Sequence, residues 1–149
     1  MRAVIQRVKQ AKVEVEGEIT GQIGQGFLVF LGVEEGDEQK DLDYIVKKVS
    51  GIRIFEDEAG KMNRDLKDVG GALLLVSQFT LLGDARHGRR PSFTAAASPD
   101  QGKFWYEEAV KAFRDAGFAT ETGVFQADMQ VSLVNDGPVT MLLDSRKIL

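Results

Sequence analysis

The sequence predicts an α+β fold: a mixed, mainly antiparallel and barrel-like sheet with two principal helices, in a single domain spanning residues 1–149. Three observations carry that expectation. The elements run in the order strands, helix, strands, helix, strands, and most strands follow one another without an intervening helix, which favours antiparallel neighbours. Two segments carry a single apolar stripe at helical spacing. A chain of 149 residues fits one domain and can bury roughly 70% of the surface its unfolded form exposes, so its core needs no covalent staple.

Each element has its own local signal. Residues 2–17 alternate as a strand does, with Val13 and Val15 on one face and Lys12, Glu14 and Glu16 on the other. Glycines at 17, 21, 24 and 26 punctuate the next stretch, so residues 18–23 read as a short hairpin partner. Phe27-Leu28-Val29-Phe30-Leu31 is an unbroken apolar run, the pattern of a strand buried on both faces. Gly36-Asp37 opens the first helix, Leu42, Ile45, Val46 and Val49 form its stripe, and Gly51 is placed to end it. Residues 53–55 suggest a short strand, and residues 57–70 an excursion turning at Ala59-Gly60. Residues 72–82 are the most strand-like segment, starting Leu73-Leu74-Leu75-Val76. Residues 83–97 form a loop rich in Gly and Arg. Ser98-Pro99-Asp100-Gln101 starts the second helix, with a capping Ser, Pro at the first helical position and Gln three residues after the Ser. Tyr106, Ala109, Val110 and Phe113 are its stripe and Gly117 its stop. Two or three strands follow within residues 119–143, broken by Asn135-Asp136-Gly137-Pro138.

Composition excludes several chemistries. There is no Cys, hence no disulfide, thiol nucleophile or thiolate metal site. A single histidine, His87, rules out any site that needs two His ligands, and a Ser-His-Asp triad would have to use it. The net charge of -4 argues against a general nucleic-acid coat, but leaves room for an RNA partner held by a local basic patch. No apolar run reaches the roughly 18 residues of a membrane span, and the N-terminal residues lack the features of a signal peptide. The expectation is a cytoplasmic protein without a membrane partner. The acidic stretch 34–43 reads as a solvated lead-in to the first helix.

Three segments can carry chemistry. Ser77-Gln78-Phe79-Thr80 continues the buried strand and introduces three polar side chains close to its end; as a strand it would place Gln78 and Thr80 on one face. Such groups either shape a pocket or satisfy backbone at a strand edge. Asn135-Asp136-Gly137-Pro138-Val139-Thr140 is strong turn chemistry, and an ordinary turn is its plainest reading. Arg86-His87-Gly88-Arg89-Arg90, followed by Pro91-Ser92-Phe93, places three arginines on a predicted loop. It suits phosphate contact with Phe93 stacking on a base, or equally a solvated charged loop.

Taken together, these segments resemble the D-aminoacyl-tRNA deacylase family (also called D-Tyr-tRNA deacylase) along essentially the whole chain. The resemblance begins with Met1-Arg2-Ala3-Val4-Ile5-Gln6-Arg7-Val8 and continues through Ser77-Gln78-Phe79-Thr80-Leu81 and Arg90-Pro91-Ser92-Phe93. It closes with Phe125, Ala127, Met129 and the run from Asn135 to Thr140. The chain departs from the pattern at Gln126, where a smaller residue, often Gly, is expected.

The resemblance implies hydrolysis of the ester in D-aminoacyl-tRNA, and of glycine mischarged on the tRNA for alanine, with no cofactor or metal. It implies a homodimer with active sites at the subunit interface. Each site takes Ser77, Gln78, Phe79 and Thr80 from one subunit and a cis Gly137-Pro138 unit from the other. Specificity would come by rejection: the Gly137 and Pro138 carbonyls hold the substrate's amino group and crowd the space of an L side chain. Arg7, Phe125, Met129, Asn135 and Thr140 are expected to support the site, and Arg86, Arg89 and Arg90 to meet tRNA. Thr80 is the tempting nucleophile, yet the sequence offers no convincing base to activate it. An RNA-assisted route is therefore expected: backbone N–H groups near Phe79 and Thr80 stabilise the oxyanion, the terminal ribose 2′-OH helps activate water, and Thr80 positions the ester.

Overall fold

The computed structural model describes residues 1–149. Its spine is the long strand β1 (Arg2–Val15). Along one edge β1 pairs antiparallel first with β3 (Gly26–Gly32), through residues 2–8, and then with β2 (Glu18–Ile23), through residues 11–15. The other edge is taken, over residues 2–14, by the antiparallel β8 (Gln130–Asp144). The sheet continues from β3 through two parallel pairings, to β6 (Ala72–Ser77) and then β7 (Thr120–Thr122). β2 and β7 then come close without hydrogen-bonding: a Cβ built at Gly21 would run into the Thr122 carbonyl oxygen. The result is the mixed, nearly closed barrel that the order of elements predicts.

Two helices cover one face. α1 (Gln39–Gly51) and α2 (Pro99–Asp115) press their stripes onto the sheet, where Leu42, Ile45, Val49, Ala109 and Phe113 meet Phe27, Val29, Leu31, Leu73 and Leu75. The opposite sides of the same strands supply a second core of Val8, Ala11, Val13, Ile23, Leu28, Leu74 and Val76. β3 and β6 are thus buried on both faces, as their unbroken apolar runs anticipate. Each fully buried Leu or Phe there contributes about 2 kcal/mol of burial. No helix is long and apolar enough to cross a membrane.

Three expectations about the strands are corrected. The strand read as 72–82 ends at Ser77, and residues Phe79–Leu82 form a 3₁₀ turn instead. Its partner β3 runs out at Gly32, and the chain folds over that glycine: a Cβ there would stand 2.6 Å from Leu82 Cδ2. The Asn135–Pro138 run does not end a strand. β8 stays paired with β1 on both sides of it, Gln6 opposite Thr140 and Val8 opposite Asn135, so residues 136–139 bulge out opposite Arg7. The short strand expected at 53–55 lies at Phe55–Glu56 (β4), paired with Met62–Arg64 (β5).

The acidic lead-in to α1 is in part buried. Asp37 accepts hydrogen bonds from the Met1 ammonium at 2.9 Å and the Glu34 N–H at 2.7 Å, which delays the start of α1 to Gln39. Asp41 accepts from the Ser145 hydroxyl at 2.7 Å and the Glu38 N–H at 2.8 Å. Burial alone would raise the Asp41 pKa. The Glu38 amide, Ser145 and the nearby positive charges outweigh it and hold the pKa below the usual carboxylate value.

Candidate active site

The 3₁₀ turn after β6 forms one wall of a cavity of about 560 Å³. Ser77, Gln78, Phe79 and Thr80 all line it. Because the chain turns rather than running straight, these neighbours face one space instead of alternating across a sheet. Gln78 remains tied to β3 by its N–H, which donates to the Leu31 carbonyl at 2.8 Å. The turn closes with Leu81 N–H donating to Gln78 and Gly83 N–H to Thr80. Phe79 and Thr80 occupy its first positions, where N–H groups have no carbonyl within the turn to reach.

The opposite wall comes from the start of α2 and the segment before β8. Ala96, Ala97 and Ser98 lead into α2, where Ser98 Oγ accepts from Gln101 N–H at 3.4 Å and Pro99 takes the first turn. Phe125 and Met129 complete the lining, with Phe125 packed against Gly102 of α2: a Cβ added there would touch its ring at 3.5 Å. The small-residue wall of Val33, Ala96, Ala97 and Gly102 escaped the sequence reading, because alanines and glycines carry no chemical signature. At the mouth, Phe79 and Phe93 meet edge to face at 5.4 Å, and Phe79 remains 57% exposed.

No Asp, Glu, His, Lys, Arg, Tyr or Cys lines this cavity. The Thr80 hydroxyl is exposed, and His87 lies on the exposed loop beyond, outside the lining. Polar chemistry in the cavity is limited to hydroxyls, amides and backbone groups.

Gln126, the departure from the expected pattern, also lines the cavity and adopts a φ of +65°. A side chain in this left-handed conformation costs roughly 1 kcal/mol that glycine avoids, which is a physical reason to expect Gly there.

The second constellation is built around the β8 bulge and does not line the cavity of its own chain. The Gly137-Pro138 peptide bond is cis. Gly137 has a φ of +126°, and a Cβ there would sit 2.9 Å from Arg7 Nη2. Arg7 is buried beneath the bulge. Its Nε donates to the Asp136 carbonyl at 3.1 Å and its Nη1 to the Ile54 carbonyl at 2.6 Å, with the guanidinium 5.9 Å above the Phe55 ring. Asn135 Nδ2 donates to the Arg7 carbonyl at 3.0 Å and the Val139 carbonyl at 2.9 Å, stapling both ends of the bulge. Thr140 Oγ1 accepts from Gln6 Nε2 at 3.4 Å.

The three arginines of the 83–97 loop differ from one another. Arg86 is held by Asp84 through bonds of 2.9 and 2.7 Å, and this contact keeps the Asp84 carboxyl down at about 2. Arg89 and Arg90 are exposed and form no ion pair. Two of the three thus have uncommitted charge.

Fold and cavity together define a small α+β protein whose open cavity is walled by hydroxyl, amide and apolar groups. The profile of the family described as D-Tyr-tRNA(Tyr) deacylase matches residues 4–144. The chain is 58% identical over 147 residues to a D-aminoacyl-tRNA deacylase of Desulfitobacterium hafniense, with 99% of each chain covered. A D-aminoacyl-tRNA deacylase of Geobacter sulfurreducens is 56% identical over 98% of this chain and 96% of its own. Among solved structures, the c-Myc DNA Unwinding Element Binding Protein superposes with a TM-score of 0.91 at 39% identity, covering 97% of this chain and 98% of that one. A probable eukaryotic D-amino acid tRNA deacylase shares the fold, with a TM-score of 0.81 at 18% identity over 96% of this chain and 98% of that one. The chain belongs to the D-Tyr-tRNA(Tyr) deacylase family.

Proposed function

We propose that this protein hydrolyses the ester of D-aminoacyl-tRNA in the cytoplasm, spares L-aminoacyl-tRNA, and draws part of its catalytic chemistry from the RNA. The deacylase activity rests on the family and on relatives of matching length. One observation carries the mechanism: the cavity lining holds no side chain able to act as a general base near neutral pH. Water therefore needs another activator, and the ribose 2′-OH next to the ester is within the substrate itself. The Phe79 and Thr80 N–H groups stabilise the oxyanion, and the Thr80 hydroxyl positions the ester rather than attacking it.

The chiral step uses the Gly137-Pro138 unit of a second subunit. Two features support a homodimer. The unit lies away from the cavity in its own chain, so a second copy is needed to bring it there. β8 also has no partner on its outer edge, and exposes Val134, Met141 and Leu142. The unit's carbonyls hold the substrate's ammonium group and leave no room for an L side chain, while a D side chain points outward. Glycine has nothing to exclude and is cleaved from the tRNA for alanine as well. Arg7 and Asn135 hold the unit in place, Phe125 and Met129 shape the pocket, Thr140 supports the strand, and Arg86, Arg89 and Arg90 approach the tRNA.

The test is hydrolysis of matched D-Tyr-tRNA and L-Tyr-tRNA by the purified protein without added metal. Rapid loss of the D ester alone is the expected result. Inertness towards both, from a folded protein that still binds tRNA, would leave a nucleic-acid-binding role in place of the enzyme.

A further inference from the structure

A second cavity, of about 470 Å³, adjoins the first between α2 and the segment after β7. The two share Phe125 and Gln126 as a common wall. α2 contributes Lys103, Glu107 and Arg114, whose spacings of four and seven put them on one helix face. Lys103 stands 4.0 Å from Glu107 with both side chains well exposed, a weak pairing that leaves the ammonium free to exchange partners. Arg114 donates from Nε and Nη2 to the Thr120 carbonyl at 3.3 and 2.9 Å. Those bonds fix the guanidinium and leave its Nη1 without a protein partner. Val124, 43% exposed, adds an apolar surface to the lining. Gln126 stands on the divide in its left-handed conformation, and strain kept at the wall of a binding cavity points to a use for the side chain.

We propose that this second cavity receives the penultimate nucleotide of the tRNA acceptor strand, so that the strand crosses Gln126 as its esterified end enters the first cavity. The inference rests on the deacylase reading and adds the path of the RNA to it. Continuity is the first argument: consecutive nucleotides are one phosphodiester apart, and two cavities with a shared wall match that spacing. Charge is the second. Two cations face the space against one carboxylate, and a phosphate entering there gains a fixed guanidinium and a mobile ammonium. Chemistry is the third: the Gln126 amide carries both donors and an acceptor, so it can meet a base edge or a ribose hydroxyl of either nucleotide. A path along the exposed loop of Arg89 and Arg90 is the competing one.

Two hydrolysis-resistant probes separate this claim from its premise. One is a D-alanyl group amide-linked to the 3′ position of adenosine. The other carries the same group on the dinucleotide cytidylyl-adenosine. Binding of each to the full-length protein is measured by calorimetry. The wild type is expected to bind the dinucleotide probe more tightly by roughly three- to tenfold, and Lys103→Glu to remove most of that gain. Gln126→Gly, which changes no charge, removes part of it. An undiminished gain in Lys103→Glu overturns the proposal, as does a gain lost only in Arg89→Ala or Arg90→Ala. Equal affinity of the wild type for both probes overturns it as well, while leaving the deacylase reading intact. Binding of neither probe would remove the deacylase reading and this path with it.

Discussion

Replacing Arg7 by Met tests whether the β8 bulge is held from below. Arg7 is 6% exposed, and its guanidinium donates to two backbone carbonyls, Ile54 at 2.6 Å and Asp136 at 3.1 Å. Hydrogen bonds from a charged donor are worth about 1.5–3 kcal/mol each, so their loss costs roughly 3–6 kcal/mol. Removing a desolvated charge and burying a methionine return about 1–2 kcal/mol of that. The expected net loss is about 3 kcal/mol, which lowers Tm by roughly 6–12 °C in a domain of this size. Urea unfolding followed by Trp105 fluorescence measures the first quantity and a thermal melt the second. Arg7→Lys keeps the charge but not the fork, and should recover about half of the loss. The functional companion is the ratio of D-ester to L-ester hydrolysis, expected to fall as the bulge slackens. A loss under about 1 kcal/mol, the same for Met and Lys, would refute the brace.

Three further outcomes follow from the geometry. Thr80→Ala should retain activity within roughly tenfold of the wild type on D-Tyr-tRNA, because the hydroxyl has no base beside it; a several-thousandfold loss with the fold intact would make it the nucleophile. Gln126→Gly should stabilise the protein by about 1 kcal/mol in urea titration by relieving the φ of +65°, and a loss of stability would deny that strain. The Tyr106 phenol, buried and donating to the Leu75 carbonyl at 2.7 Å, has its pKa pushed by burial from 10.0 up to about 12. A raised pKa means its contribution is complete below pH 10 and disappears as pH rises through about 12. Wild-type stability should therefore fall by about 2–3 kcal/mol across that window through this group, and the Tyr106→Phe protein should show a flatter profile there.

What the sequence made legible was local. The start of α2 was readable because Ser98, Pro99 and Gln101 satisfy a helix end from within four residues. The stripes of both helices follow from periodicity, and the double-faced burial of β3 from its unbroken apolar run. The errors lie where a distant partner decides. The strand at 72 stops at Ser77 because β3 ends at Gly32, and nothing near residue 77 records that. Residues 135–138 look like a turn, yet β1 pairs on both sides of them, some 130 positions away in the chain. Asp37 and Asp41 lie in a stretch with the pattern of a solvated lead-in, because the partners that bury them, Met1 and Ser145, are distant in the chain. The site divides in the same way. Ser77, Gln78 and Thr80 stood out as polar groups intruding on an apolar run, while Ala96, Ala97 and Gly102 declare themselves only by shape. Arg7 enters the site through the family resemblance; the two carbonyls it holds, Ile54 and Asp136, lie far off in the chain and leave no local signal.

The pairing of β1 with β8 sets the order in which the molecule can be completed. Arg2 lies opposite Asp144 and Glu14 opposite Gln130, so the first strand made waits for the last. During synthesis β1 can recruit β2 and β3 on one edge early, but its other edge stays open until residues 130–144 have left the ribosome. Contacts of such sequence separation form slowly, and an open strand edge invites pairing with the wrong chain. A nascent chain stalled before residue 130 would present that edge at full length, along with the underside of the missing bulge. Chaperone demand for this protein should therefore peak in the interval between the emergence of α2 and the closing of β8.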